Sequence, residues 1–322
     1  MSFDMPLEEL LQYQGSSPKP ENFDEYWRAA LDELDNTPPE PRISPADFAV
    51  PNMICQDLWF NGVRGGHIHA RYVRPAGTEN KPLPAILHYH GYTGGADAWT
   101  YIMGLAAAGF AVFYMECRGQ GGESYDDNGN KGRTHTSHLL KGILDGDPQR
   151  LALRHAMLDA TQLARIAMNM TNIDAKHICT FGESQGGALA LACAALEPRI
   201  AFCVPSLPWL CDFKRTYELQ LPIGGVIQEI TVWFRTHDPQ HKTGNWLFEQ
   251  LAYIDMQNLA PRINAQVLLL CALKDNNCPP STQFAMYNKL KSKKEYLLFH
   301  DFVHEPILNK CDILLQWILP KL

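Results

Sequence analysis

Gly182-Glu183-Ser184-Gln185-Gly186-Gly187 lies between a short apolar run, Ile178 to Phe181, and an Ala/Leu-rich run, Ala188 to Leu196. A serine placed this way, at a sharp strand-to-helix turn, has a strained backbone and an exposed hydroxyl. Gly182 tolerates the close approach of strand and helix, and Gly186 leaves room where a side chain would clash. The helix that starts there aims its free amides and the positive end of its dipole at whatever binds beside the serine. The chemistry is acyl transfer to a serine nucleophile. The alternative is a Gly-rich βα turn holding an ordinary serine, and the rest of the chain must decide between them.

A serine hydroxyl is a poor nucleophile until a base takes its proton, normally a histidine oriented by a carboxylate. With a G-x-S-x-G turn the chain order is Ser, then Asp or Glu, then His. His304 follows the last expected strand and precedes the last helix, in Phe302-Val303-His304-Glu305-Pro306, and is the candidate base. His300, at the very end of that strand, reads as structural. Asp275 follows the strand Val267 to Cys271 and is the candidate acid; its bland reading is a turn or cap residue. Asp255 precedes that strand, and Asp301 is too close to His304 in sequence. An oxyanion needs donors: the amide of Gln185 is one, and the loop His90-Gly91-Tyr92-Thr93-Gly94-Gly95 supplies the Tyr92 amide as the second. Because backbone amides do this work, side-chain changes at Tyr92 and Gln185 should hurt less than changes at Ser184.

Other constellations carry less. His88-x-His90 and His67-x-His69 place pairs on one strand face, but neither has a third ligand at a recognisable spacing. They read as loop, packing or surface residues, with no metal. No phosphate-binding glycine pattern precedes another helix, so no nucleotide cofactor is expected. A net charge of -7 and a pI of about 5.9 argue against nucleic acid or an anionic membrane as partner. The bases from Lys289 to Lys294 read as a solvated helix end. Met1 to Leu11 is acidic and lacks a signal-peptide pattern. The longest apolar stretch, Ile102 to Met115, is too short for a membrane span. Nine cysteines, several in apolar runs (Cys117, Cys179, Cys193, Cys203, Cys271), suit a reducing compartment, and a cytoplasmic location is expected. The sequon at Asn169 then reads as chance.

The elements that must position these residues follow from periodicity. Leu7 to Leu11 and Phe23 to Leu34 are helical, and Cys55 to Phe60 with Ile68 to Val73 form a β-hairpin. From Pro84 strands and helices alternate: strands Ala85 to Tyr89, Phe110 to Met115, Ile178 to Phe181, Ile200 to Val204, Val267 to Cys271 and Glu295 to Phe299. Helices are Trp99 to Ala108, Gln149 to Met170, the run after Ser184, and Pro306 to Leu319 with Pro in its first turn. This predicts an α/β-hydrolase fold, a mostly parallel sheet with helices on both faces. Residues 1–322 read as one domain, with 1–83 an N-terminal helix and hairpin extension and 209–247 an insertion. Arg118 to Pro148 reads as a long loop. The insertion's aromatics, Trp209, Tyr217, Trp233 and Phe234, line a pocket or bury a subunit contact.

Taken together, Arg118-Gly119-Gln120-Gly121, Gly182 to Gly187 and His304-Glu305 resemble the three signatures of the acetyl xylan esterase/cephalosporin C deacetylase family (carbohydrate esterase family 7). Asp4 to Leu10, Lys141 to Asp145, Asp255 to Ala260 and Cys278-Pro279-Pro280-Ser281-Thr282 extend the resemblance over nearly the whole chain. It implies deacetylation of acetylated sugars, short xylo-oligosaccharides and cephalosporin C. It also implies an intracellular homohexamer, a trimer of dimers with active sites facing an inner chamber. The family's nucleophile, acid and base fall on Ser184, Asp275 and His304, and its oxyanion amides on Tyr92 and Gln185. Two positions depart: the family usually has Gly at Glu183 and at Val303. Two other readings stay open, a peptidase of prolyl-oligopeptidase type, and a non-catalytic binding protein on a hydrolase scaffold.

Overall fold

The computed structural model describes residues 4–96, 98–127, 134–219 and 227–322. In chain order, α1 is Leu7–Leu10, α2 Phe23–Asp35, β1 Arg42–Pro45, β2 Met53–Gly62, β3 Gly66–Pro75, β4 Leu83–Tyr89, α3 Trp99–Ala107, β5 Ala111–Met115 and β6 Tyr125–Asp126. There follow α4 Ala152–Met168, β7 Ile173–Glu183, α5 Gln185–Leu196, β8 Phe202–Ser206, α6 Phe213–Glu218, α7 Ile227–His237 and α8 Gly244–Leu251. The last are α9 Met256–Leu259, β9 Gln266–Ala272, α10 Pro280–Lys289, β10 Lys294–Phe299 and α11 Lys310–Ile318.

The strands form one sheet in the order β1-β2-β3-β5-β4-β7-β8-β9-β10, with β6 on the flank of β3. From β5 to β10 every pairing is parallel; β1, β2 and β3 add an antiparallel wing. The expected hairpin is therefore present, and longer than its apolar core: β2 and β3 pair from Met53↔Pro75 to Gly62↔Gly66. This is an α/β-hydrolase architecture. The chain leaves β4 for β5 on one side and returns to β7 on the other, so the strand order reverses between β4 and β7. Crevices outside the carboxyl ends of strands at such a reversal are where ligands bind. The oxyanion loop after β4 and the turn after β7 both open there, with Tyr89 opposite Gly182 in the register.

Helices cover both faces. One core joins α2, α4, α5, α9 and α10 to the sheet through residues such as Trp27, Leu163, Leu189, Met256 and Phe284. The other places α3 and α11 against the opposite face through Ile102, Leu105, Leu314 and Ile318. Every residue of α5 is buried, which explains why it is apolar all round rather than amphipathic. Among the described residues no helix is long and apolar enough to cross a membrane.

One local expectation changes and two gain detail. The last helix begins at Lys310, not Pro306: residues 300–309 form the loop that carries His304, and Ile307 is buried under it. The insertion is helical, made of α6, α7 and α8, although 220–226 lie outside the described residues. The segment 118–148 is a loop, as expected, with short helical turns at Ile143–Asp145 and Pro148–Arg150; its 128–133 also lie outside the described residues.

Candidate active site

Ser184 sits between β7 and α5 with φ 56° and ψ −117°. A non-glycine residue held there stores about 1–3 kcal/mol of backbone strain, which the surroundings must maintain. They do so through backbone bonds: Ser184 N donates to Ser206 O at 2.9 Å, and Ser184 O accepts from Ala188 N at 3.1 Å and Trp209 N at 3.0 Å. The glycines act by close approach. A Cβ on Gly182 would lie 2.5 Å from Gly186 C, and one on Gly186 would overlap Tyr89 O.

The structure brings Ser184, His304 and Asp275 together. Ser184 Oγ lies 3.0 Å from His304 Nε2, and His304 Nδ1 lies 2.8 Å from Asp275 Oδ2. A carboxylate only accepts, so Nδ1 carries the hydrogen and Nε2 faces the hydroxyl as the acceptor. Asp275 is fully buried, and its other oxygen accepts from Asn277 N at 2.9 Å and Cys278 N at 2.7 Å. Burial by itself pulls the His304 imidazole down, but Cys278 and Asp275 more than offset this, and the net direction is upward. Burial pushes the Cys278 thiol up to about 11, so near neutral pH it is uncharged and the Asp275 carboxylate is the charge that raises His304. The rejected candidates lie elsewhere. His300 is exposed, Asp301 pairs with Lys274, and Asp255 caps α9 by accepting from Gln257 N.

Gly91, Tyr92, Ser184 and His304 line one cavity of about 1260 Å³, which runs on past Glu183 to Trp233 of α7. Tyr92 lines the cavity with Ser184, Gln185 follows Ser184 at the start of α5, and both have anchored side chains, which sequence reasoning missed. Gln185 is fully buried, and its side-chain amide pairs with that of Gln120, whose Oε1 also accepts from Thr93 N at 2.8 Å. Gln120 thus ties the loop after β4 to the start of α5. Arg118, in the same motif, clamps buried Asp159 through Nε at 2.9 Å and Nη2 at 2.5 Å. Tyr92 Oη donates to Glu229 of α7 and accepts from His138 N at 2.9 Å. Glu229 also accepts from Ser137 N at 2.8 Å and Leu139 N at 3.1 Å. Burial, then Glu229, raises the Tyr92 phenol. The signal for Gln120 was its place in the Arg-Gly-Gln run; nothing local marked Glu229.

The insertion's aromatics divide. Trp209 packs edge-on against Tyr92 with centroids 4.9 Å apart, Trp233 borders the cavity, and Tyr217 and Phe234 pack on each other at 5.2 Å. The histidine pairs sit in protein contacts. His67 meets Asp127, His69 lies between Asp57 and Glu116, and His90 Nε2 accepts from Cys117 N at 2.9 Å. His88 is buried and pushed down to about 3 by burial and by Lys310. Among the described residues, the cluster of three ligand-type groups is Asp275, Cys278 and His304. Glu183, the first departure from the resembled family, reaches Lys310 Nζ at 2.6 Å; Val303, the second, is 43% exposed on the base loop.

The family model described as acetyl xylan esterase (AXE1) matches residues 1–320. Acetyl xylan esterase 1 from Thermoanaerobacterium sp. JW/SL YS485 has 44% identity and a TM-score of 0.93, with 98% of this chain and 99% of that chain covered. The acetyl xylan esterase from Paenibacillus sp. R4 has 33% identity and a TM-score of 0.91, with the same 98% and 99% coverage. The acetyl esterase Axe7A of Xylanibacter ruminicola is 25% identical over 284 residues, 87% of this chain. The chain spans 62% of the length of that curated relative.

Proposed function

Since the chain belongs to the acetyl xylan esterase family, we propose that it is a serine carboxylester hydrolase that removes acetyl groups from acetylated sugars, with Ser184 as nucleophile, His304 as base and Asp275 as acid. The observation that carries this reading is the continuous hydrogen-bonded line from Ser184 through His304 to Asp275, opening on the cavity. His304 Nε2 takes the proton of Ser184 Oγ as it attacks the acetyl carbonyl. Asp275 holds the imidazole and stabilises its charged form. The amides of Tyr92 and Gln185 receive the oxyanion, each such donor being worth roughly 3 kcal/mol of barrier. The alcohol leaves with the proton from Nε2, and water releases acetate by the reverse roles.

The substrate range includes acetylated xylo-oligosaccharides and cephalosporin C-like small esters. The family match does not favour the peptidase or the non-catalytic reading. Nine free cysteines, eight of them buried, support a reducing cytoplasmic location. The assembly is a homohexamer, a trimer of dimers; the exposed edge strand β1 with Ile43 offers a pairing surface.

The test is a series of aryl esters of rising acyl length, run beside acetylated xylo-oligosaccharide, cephalosporin C and an aryl amide. Acetyl esters should turn over fastest and the amide should stay intact. A preference for long acyl chains overturns the acetylesterase reading, and failure of a fluorophosphonate probe to label Ser184 overturns the enzyme reading. Light scattering tests the hexamer separately.

A further inference from the structure

Glu183 puts a carboxylate on the residue before the proposed nucleophile, bordering the same cavity as Ser184 and His304. Its own carbonyl lies beside the oxyanion loop, 3.8 Å from where a Cβ on Gly91 would stand. A bare negative charge there opposes the negative charge that forms on the acyl oxygen. Glu183 is not bare. Its Oε2 lies 2.6 Å from Lys310 Nζ, and the two side chains are only 22% and 12% exposed.

Lys310 is equally out of place by local rules. It is the first residue of α11, and a cation at a helix N-terminus faces the positive end of the dipole. Each charge is unfavourable where it stands and each is matched by the other. The pair also bridges two elements. Glu183 ends β7, which delivers Ser184, and Lys310 opens the helix that follows the loop carrying His304. Along that loop Phe302 O is held by Lys274 N at 3.1 Å, Ile307 is buried, and Leu308 is 92% exposed. Lys310 is the anchor at its far end.

We propose that the Glu183–Lys310 ion pair is a positioning device for the base: it ties the nucleophile's strand to the helix after His304, and it keeps the carboxylate beside Ser184 neutralised while the oxyanion forms. The proposal rests on the catalytic roles assigned above to Ser184 and His304. The titratable groups around the pair are His304, which borders the same cavity as Glu183 and has Asp275 and Cys278 behind it, His88 near Lys310, and Cys311 and Asp312 on α11 with Tyr101 of α3 against Cys311. His88 and the two thiols are uncharged near neutral pH and Asp312 is the same in every variant below, so the acid limb reads the effect of the pair on His304.

The test compares Glu183→Gln, Lys310→Met, the double variant and Lys310→Arg by kcat, KM and the pH profile of kcat/KM on an aryl acetate. Lys310→Met leaves the carboxylate uncompensated: kcat should fall about tenfold with KM little changed, and the acid limb should move up by about half a pH unit. Glu183→Gln leaves the cation: the limb should move down, with a smaller loss of kcat. The double variant should bring the limb back towards wild type and exceed Lys310→Met in kcat. Lys310→Arg should retain both. Equal losses in all variants with an unmoved limb would mean a merely structural tie and overturn the proposal. If Lys310→Met does not fold, the Glu183→Gln and Lys310→Arg pair decides by the same limb. A wild-type protein that neither turns over aryl acetate nor reacts with a fluorophosphonate overturns the functional reading instead.

Discussion

Gln120 and Gln185 present their side-chain amides to each other in a reciprocal pair, with N···O distances of 2.9 and 3.0 Å, at a position shielded from solvent. Gln120 Oε1 also holds the amide of Thr93, so one side chain sets the spacing between the two proposed oxyanion donors. Gln120→Leu removes that spacer and strands buried donors, at a cost of about 1–3 kcal/mol of stability. The expected kinetic result is a fall in kcat of roughly a hundredfold with KM nearly unchanged, since misplacement by about 1 Å has that effect. Steady-state kinetics on an aryl acetate, with the thermal midpoint measured in parallel, check it.

Asp275→Asn keeps the shape of the site and removes the charge that orients His304. Its kcat should drop by roughly 10⁴-fold, the size seen when this role is lost in serine hydrolases. The sign of the pH effect follows from His304, whose folded-state imidazole is raised above its ordinary value of 6.5. The base works only when neutral, so wild-type kcat/KM should fall as pH drops through a value above 6.5. In the Asn variant burial acts without the opposing carboxylate, and the residual activity should keep its plateau to lower pH. A limb that stays put would contradict the assignment.

Glu229 accepts from Tyr92 Oη and from the amides of Ser137 and Leu139, and so fastens α7 and the 137–139 segment to the oxyanion loop. Glu229→Ala should raise hydrogen exchange at the 137 and 139 amides and lower kcat/KM. Tyr92→Phe removes the bonds to Glu229 and His138 N but leaves Glu229 its two amide donors, and should do less on both measures. Tyr92 and Gln185 are held by their side chains, so changes there should reach the proposed oxyanion amides while still costing less than changes at Ser184.

Asp255 supplies a stability prediction. Burial, then the charge of Asp212, raises its carboxyl from 3.8 to about 7. A folded-state value above the unfolded one favours folding only while the group is protonated. Its contribution is therefore whole below pH 3.8 and is lost as pH rises through about 7. Asp255→Asn is neutral throughout, keeps the acceptor for Asp212 N and Gln257 N, and lacks this loss. Relative to wild type, its unfolding midpoint should rise between those pH values, by an amount on the order of a few kcal/mol in free energy. Parallel curves for the two proteins would refute the assignment.

Much of the site was legible because its cues are local or ordinal. The turn at Ser184 is written in one hexapeptide, and position relative to the expected strands selected Asp275 over Asp255 and His304 over His300. Element types were legible where the apolar pattern was strong, as in α4 and the β2–β3 hairpin. The four-residue β1, exposed throughout, carries no alternation to read. The start of α11 was misplaced because Pro306 suits a helix's first turn, whereas residues 300–309 are committed to delivering His304 and burying Ile307.

By itself the sequence determined the turn at the proposed nucleophile, the order of the proposed acid and base, and the alternation that makes a parallel sheet, since each depends on neighbouring residues or on succession along the chain. Only the tertiary structure decided which distant side chains hold these groups in place. Gln120 meets Gln185 across 65 residues, Glu183 meets Lys310 across 127, and Tyr92 meets Glu229 across 137. Such partners leave no local periodicity or propensity. They become neighbours only because the strand order reverses between β4 and β7 and gathers the carboxyl ends of the strands around one cavity.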